Sequence, residues 1–271
     1  MLLGPCRVCW GRTLEPFLDL GPRRAALCRG CGLVQLYPAP PEADALRPAD
    51  ASADPEGLAA AVARRLDLGP EDLVLAAASG DGAALVPFRR RGVRVLGVEA
   101  SPAAAERARR RGVDTVEDRF DAGLARALTR VHGPARVVLA GRTLERAADP
   151  HDVVRAVRAA LTHDGLGVFE TADPAALLRG ARAGALAAAP CRYPAALLRT
   201  LLRRHGLKVI AFEEARRGSL RTVAAGEGSA WAVEASAEAV PLAEAGLELE
   251  RVRTWRDAAR RAAGVVRLRA A

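Results

Sequence analysis

From residue 55 onward the chain alternates short unbroken apolar runs with stretches of helical spacing. Asp72–Ala78 (carrying Leu73-Val74-Leu75), Val93–Glu99, Arg136–Leu139 and Leu166–Glu170 read as strands. Runs this short and continuous suit strands buried on both faces. Between them, Leu58–Leu68, Ala83–Arg91 and His151–Leu161 have the spacing of helices, and Ser101-Pro102 offers an N-cap followed by a first-turn proline. Repeated strand–helix units imply a parallel sheet covered on both faces. Leu207–Phe212 and Leu220–Ala224 flank Arg216-Arg217-Gly218, which predicts a closing antiparallel pair. From Glu234 the pattern is again helical and strongly charged, and Ala237–Gly246 is low in complexity.

The first 37 residues follow a different rule. Four cysteines fall in two tight pairs, Cys6-Arg7-Val8-Cys9 and Cys28-Arg29-Gly30-Cys31, before the apolar stretch Leu33-Val34-Gln35-Leu36-Tyr37. This spacing lies in the range of a four-cysteine zinc site, each pair placing two thiolates on one knuckle. Such a shell is closed to water and therefore structural. Two disulfides or free thiols are the alternatives. The opening Met1-Leu2-Leu3-Gly4-Pro5 has neither the basic nor the apolar region of a secretion signal, so a reducing cytoplasm and zinc are expected. Pro38-Ala39-Pro40-Pro41 through Asp54 reads as a semi-rigid spacer. The expected organisation is a zinc lobe over 1–37, a linker over 38–54, an α/β domain over 55–225 and a helical tail over 226–271.

Composition refines this picture in two ways. Half of the 271 residues are hydrophobic but only 4% are aromatic, so the core must be aliphatic. No apolar run approaches membrane-spanning length. The formal charge of +9 would suggest nucleic acid, yet Lys208 is the sole lysine and the arginines are scattered along helices (Arg107, Arg109, Arg110, Arg111) without interleaved aromatics. A solvated helix face accounts for most of them. A small polyanionic ligand such as a nucleotide suits the same charge.

Chemistry concentrates where the first strand of the α/β domain ends. Ala76-Ala77-Ala78-Ser79-Gly80-Asp81-Gly82 leads into a helix, and Gly80 and Gly82 allow a tight turn with close backbone approach to a ligand. Glu99 closes the next strand, where a carboxylate can bind two ribose hydroxyls. Asp81 adds a polar side chain near the ligand's charged end. An ordinary strand–helix turn with Glu99 as a helix cap is the alternative reading.

Strands alternating with helices and closed by an antiparallel pair resemble the seven-stranded, Rossmann-like, doubly wound sheet of class I methyltransferases, a fold that binds S-adenosylmethionine (SAM). In more detail the chain resembles the zinc-binding SAM-dependent C-methyltransferases of deoxysugar biosynthesis. The match takes in Cys6–Cys9, Phe17-Leu18-Asp19-Leu20-Gly21, Cys28–Cys31 with Gly32-Leu33-Val34-Gln35-Leu36, and Ser79-Gly80-Asp81-Gly82 where that family has S-N-D-G. It continues through Val95-Leu96-Gly97-Val98-Glu99, Arg204-His205-Gly206-Leu207 and Gly218-Ser219-Leu220-Arg221, about residues 1–225 in all. The resemblance implies zinc on Cys6, Cys9, Cys28 and Cys31, and SAM contacts from Ser79, Gly80, Asp81, Gly82 and Glu99. It also implies methyl transfer to carbon of a nucleotide-linked keto-sugar.

Several family residues are absent. Ala76 stands where an acid ordinarily helps hold the SAM amino group, so weaker SAM binding is expected. The Y-H-E-H acid–base segment falls on Leu186, Ala187, Ala188 and Ala189, and N-N-V-L-A-H on Gly141-Arg142-Thr143-Leu144-Glu145-Arg146. The family's further C-terminal domain would lie beyond Ala271, leaving room only for its opening helix. A carbon acid must lose a proton before it can attack a methyl group, and alanine cannot help. Tyr193 is the one phenol near that segment, a weak acid–base candidate. His132, His151, His163, His205 and Cys191 read as structural or exposed groups, and Glu170 as a strand-end residue facing ligand or solvent. Two functions stay open: a methyltransferase acting on a small molecule, or a degenerate member serving as a binding partner of another protein.

Overall fold

The structure, a computed structural model, describes residues 4–38, 54–172, 189–215 and 219–237. The N-terminal lobe contributes three antiparallel strands, β1 (Leu14–Asp19), β2 (Arg24–Cys28) and β3 (Val34–Tyr37). A fourth strand in that sheet, β9 (Cys191–Arg192), comes from far along the chain and pairs with Val34 and Gln35.

The larger sheet has seven strands among the described residues: β4 (Leu73–Ala77), β5 (Arg94–Val98), β6 (Thr115–Val116), β7 (Ala135–Gly141), β8 (Leu161–Ala172), β10 (Leu207–Ala215) and β11 (Ser219–Gly226). Their order is β10-β11-β8-β7-β4-β5-β6. Parallel pairing runs from β6 to β8, and β11 alone is antiparallel, inserted between β8 and β10. This is the Rossmann-like methyltransferase arrangement expected from the sequence. Strand order reverses between β4 and β7, with β5 and β6 added on one side of β4, and β7 and β8 on the other, which opens a crevice at the strands' carboxyl ends.

Alternation along β4 builds the two-sided core. Leu73 and Leu75 face α4 (Ala122–His132), α6 (Pro150–Ala160) and α7 (Ala195–Arg203), together with Cys6, Cys28 and Leu33 of the lobe. Val74 and Ala76 face α1 (Pro55–Ala63), α2 (Val86–Arg90) and α3 (Pro102–Arg110). Asp54, Asp121 and Asp149 cap α1, α4 and α6 by accepting backbone N–H groups of the first turn.

Helix boundaries differ from expectation for local reasons. The helix expected over Ala83–Arg91 begins only at Val86, because Pro87 lacks the N–H that would bond back to residue 83. The first stretch stays a series of turns anchored by Leu85 N to Gly82 O. The strand expected at Leu166–Glu170 is longer, and α6 stops at Ala160 so that Leu161 can start it. The expected charged tail begins in α8 (Ala230–Ala237) and otherwise lies outside the described residues. No helix among the described residues is long and apolar enough to cross a membrane.

Candidate functional site

The four cysteines converge. Their Sγ atoms all lie within 4.8 Å of one another, with Cys6–Cys31 and Cys9–Cys28 at 3.5 Å, and all are free thiols. Sulfurs on a tetrahedral zinc at about 2.3 Å stand about 3.8 Å apart, so the cluster already has the dimensions of a metal shell. Backbone bonds shape both knuckles, Trp10 N to Cys6 O on one and Gly32 N to Cys28 O on the other. Crowded thiols also separate in acidity. The Cys31 thiol and nearby backbone amides bring Cys6 down to about 5 against the cost of burial, while burial lifts Cys28 to about 11. The proton Cys31 donates to Cys6 is held tightly, and its own acidity falls accordingly. Four thiols gathered at this distance suit a soft cation.

At the crevice beside β4 lies a cavity of about 410 Å³. Ala78, Glu99 and Ala100 line one side. Asp118, Arg119, Phe120 and Asp121, following β6, form another. Thr143, in the one-turn helix α5 (Thr143–Arg146), and the stretch Arg146–Val153 complete it through Arg146, Ala147, Ala148, Asp149, Asp152 and Val153.

Of the five residues expected to touch a cofactor, Glu99 lines this cavity. It is buried, and its carboxylate accepts from Gly80 N at 2.7 Å and Ser101 N at 2.9 Å. Each oxygen keeps a lone pair, so the group both fixes the glycine turn to α3 and can still accept from a ligand hydroxyl. Gly80 has φ 59° and its N–H is given to Glu99. Gly82, at φ 77°, serves packing: a Cβ there would meet Ala108 and Val113 at 3.1 Å. Asp81 turns away, accepting from Ala83 N and pairing with Arg111 at 2.7 Å. Ser79 is buried with its hydroxyl set against Gly97, where an added Cβ would lie 2.6 Å from Oγ. Ala76 sits inside the sheet, in register with Gly97 and Leu139.

Tyr193 is fully buried and donates its hydroxyl to Leu144 O at 2.9 Å. Burial, with Cys191 beside it, raises the phenol well above its ordinary range. It does not line the cavity. Cys191 is a core thiol pushed up to about 11 by burial. His151 packs under Trp10 with ring centroids 4.5 Å apart, and bonds His205 and Val8 O, each at 2.8 Å. Glu170 binds Arg221 at 3.0 Å inside the sheet layer. Of the four positions aligned with the acid–base segment, Leu186, Ala187 and Ala188 lie outside the described residues, and Ala189 is buried.

Sequence reasoning missed Asp118, Phe120 and the wall after β7. The signal for the first two was present in Val116-Glu117-Asp118-Arg119-Phe120. Its strand is two residues long and has no periodicity to detect. The third wall is built from caps and turns, whose role as a lining exists only after folding.

Residues 51–211, more than half of the chain, match the methyltransferase domain family, and the chain belongs to it. A curated relative, the C-methyltransferase NovU of Streptomyces niveus, is 33% identical over 147 residues. The match covers 54% of this chain and 35% of that protein, so the chain spans about a third of its relative's length. Two solved structures share the fold. One is the PH0226 protein of Pyrococcus horikoshii (17% identity, TM-score 0.52, covering 63% of this chain and 88% of that one). The other is a methyltransferase from Haloferax volcanii in complex with the Trm112 methyltransferase activator (18% identity, TM-score 0.51, covering 68% and 96%).

Proposed function

We propose that this chain is a SAM-dependent methyltransferase of the cytoplasm that methylates a small molecule, with zinc held by Cys6, Cys9, Cys28 and Cys31 in a structural role. The observation that carries it is Glu99, a buried carboxylate just after β5 that lines a cavity beside the point where strand order reverses. Glu99 would accept from the ribose hydroxyls, and Asp118 with Phe120 would supply an acceptor and an apolar wall for the adenine. With Ala76 inside the sheet, no carboxylate at that position serves the amino group, and affinity is expected to be modest.

The acceptor is best one that arrives nucleophilic. All four histidines and both tyrosines of the chain are among the described residues, and none of them lines the cavity. Among the described residues its titratable lining consists of carboxylates and arginines. Alignment of a ready nucleophile with the methyl group then supplies most of the acceleration. Similarity to the C-methyltransferase NovU supports methyl transfer, and the motifs shared with the sugar C-methyltransferases make a nucleotide-linked sugar the first class to try.

Calorimetry with SAM and S-adenosylhomocysteine (SAH) tests the reading. Binding by the wild type, weakened about tenfold or more in Glu99→Ala, supports it. Binding that Glu99→Ala leaves unchanged removes the ribose assignment. Mass spectrometry of nucleotide-sugar mixtures then reports gain of a methyl group.

A further inference from the structure

The stretch that forms the third cavity wall is fastened from behind to the cysteine lobe. Arg7 Nη1 donates to Ala147 O at 3.3 Å, and His151 Nε2 donates to Val8 O at 2.8 Å. Arg7 and Val8 are the two residues between Cys6 and Cys9. In β9, the strand that completes the lobe's sheet, Arg192 pairs with Glu145 at 3.2 Å, and Tyr193, the next residue, donates to Leu144 O at 2.9 Å. Glu145 is fully buried; it also takes Arg142 Nε at 2.6 Å and Ala172 N at 2.9 Å.

These contacts act on an element that cannot hold itself. Helix α5 is four residues long, too short to be stable alone, and its last carbonyls have no helical partners. Tyr193 and Arg7 supply the donors for two carbonyls at that end. The same stretch of backbone lines the cavity through Arg146, Ala147, Ala148, Asp149, Asp152 and Val153.

We propose that the four-cysteine lobe positions the ligand cavity. A metal-filled knuckle fixes Arg7 and Val8, and with Tyr193 and Arg192 these hold the wall from 144 to 153 at the distance a cofactor requires. Arg7 and Tyr193 are positioning residues that never touch the ligand. The part concerning SAM rests on the functional reading above, whereas the mechanical coupling does not.

The test uses the full chain carrying Arg7→Met, Tyr193→Phe or both, alongside wild type with and without its metal stripped by a chelator. Metal content should stay at the wild-type ratio in the variants. Amide hydrogen exchange should accelerate across 144–153 while β8 and β10 keep their protection, and SAH affinity should fall about five- to tenfold for each bond lost. Arg7→Lys, which restores a donor, should recover part of both. Stripping the metal from wild type should expose the same stretch, an arm that decides the matter even if the variants fold poorly. Unchanged exchange across 144–153 in metal-stripped wild type, or in folded variants that keep their metal, would overturn the proposal. A wild type that fails to bind SAH would overturn the cofactor reading and leave the exchange result to decide the coupling.

Discussion

Two walls of the same cavity are held in opposite ways. The wall at Ala78–Glu99 is stabilised by its own neighbours: Glu99 reaches 19 residues back to Gly80 N and two forward to Ser101 N, all between the end of β4 and the start of α3. The wall at Leu144–Val153 is held by residues 140 positions upstream and 49 downstream. A locally braced wall is pre-formed whenever its unit folds. A remotely braced one inherits the state of another module and can be lost without any change in its own sequence.

The largest expected effect comes from breaking the remote brace at its buried centre. Glu145→Ala leaves Arg192 and Arg142 without their shared carboxylate, and breaking a buried pair typically costs about 3–5 kcal/mol. Chemical denaturation should show that loss. A cost below about 1 kcal/mol would mean that the two arginines find other partners and the remote wall is less dependent than its geometry implies.

Next comes the local brace. Glu99→Gln keeps an acceptor but cannot accept at both ends, because its NH₂ faces a backbone N–H. We expect a loss of about 1–3 kcal/mol in stability, with faster exchange confined to the turn at 79–82 and the start of α3. If exchange also rises across 144–153, the walls are not independent.

Ala78 lines the cavity at φ 49°, in the left-handed region that costs an alanine about 1–2 kcal/mol. Ala78→Gly should relieve this strain and stabilise the fold by up to about 1 kcal/mol, after allowing for glycine's greater freedom in the unfolded chain. A fall in thermal midpoint would show that the Ala78 methyl contributes packing worth more than the strain.

The smallest effect is a pH dependence in the remote brace. Burial first, and then the neighbouring His151, lower the His205 pKa below its ordinary 6.5. The folded state therefore prefers the neutral ring. Its contribution is complete above the unfolded value of 6.5 and is lost as pH falls from there through the folded value. Wild type should lose more thermal stability than His205→Gln between about pH 7.5 and pH 5.5. Equal losses would remove His205 from the clamp.

The same contrast explains what could be read before folding. Strands β4, β5, β7 and β8 announced themselves because each is a continuous apolar run. Glu99 did so because a carboxylate one strand beyond a glycine turn has a stated role in open α/β sheets. The cysteine cluster was legible from spacing alone. Ser79 and Asp81 share the motif with Gly80, yet one side chain packs beneath the turn and the other pairs with Arg111, a choice made by α3 and invisible in the motif. Arg7 and Arg192 carried no signal, and Tyr193 stood out only as an acid–base candidate, a role its buried bond to Leu144 O does not serve. Their importance lies in which carbonyl or carboxylate they meet across the fold, and spacing along the chain does not encode that.

The pairing of β9 with β3 also bears on synthesis. Gln35 and Cys191 stand opposite each other in the β3–β9 pair, separated by 155 intervening residues. At about 5–20 residues per second, the lobe's last strand leaves the ribosome roughly ten to thirty seconds after the first three. Throughout that interval Val34 and Gln35 present an uncovered strand edge, the kind of surface that recruits foreign strands. Cysteines that gather a metal early would let the nascent lobe wait in register for a partner still being made.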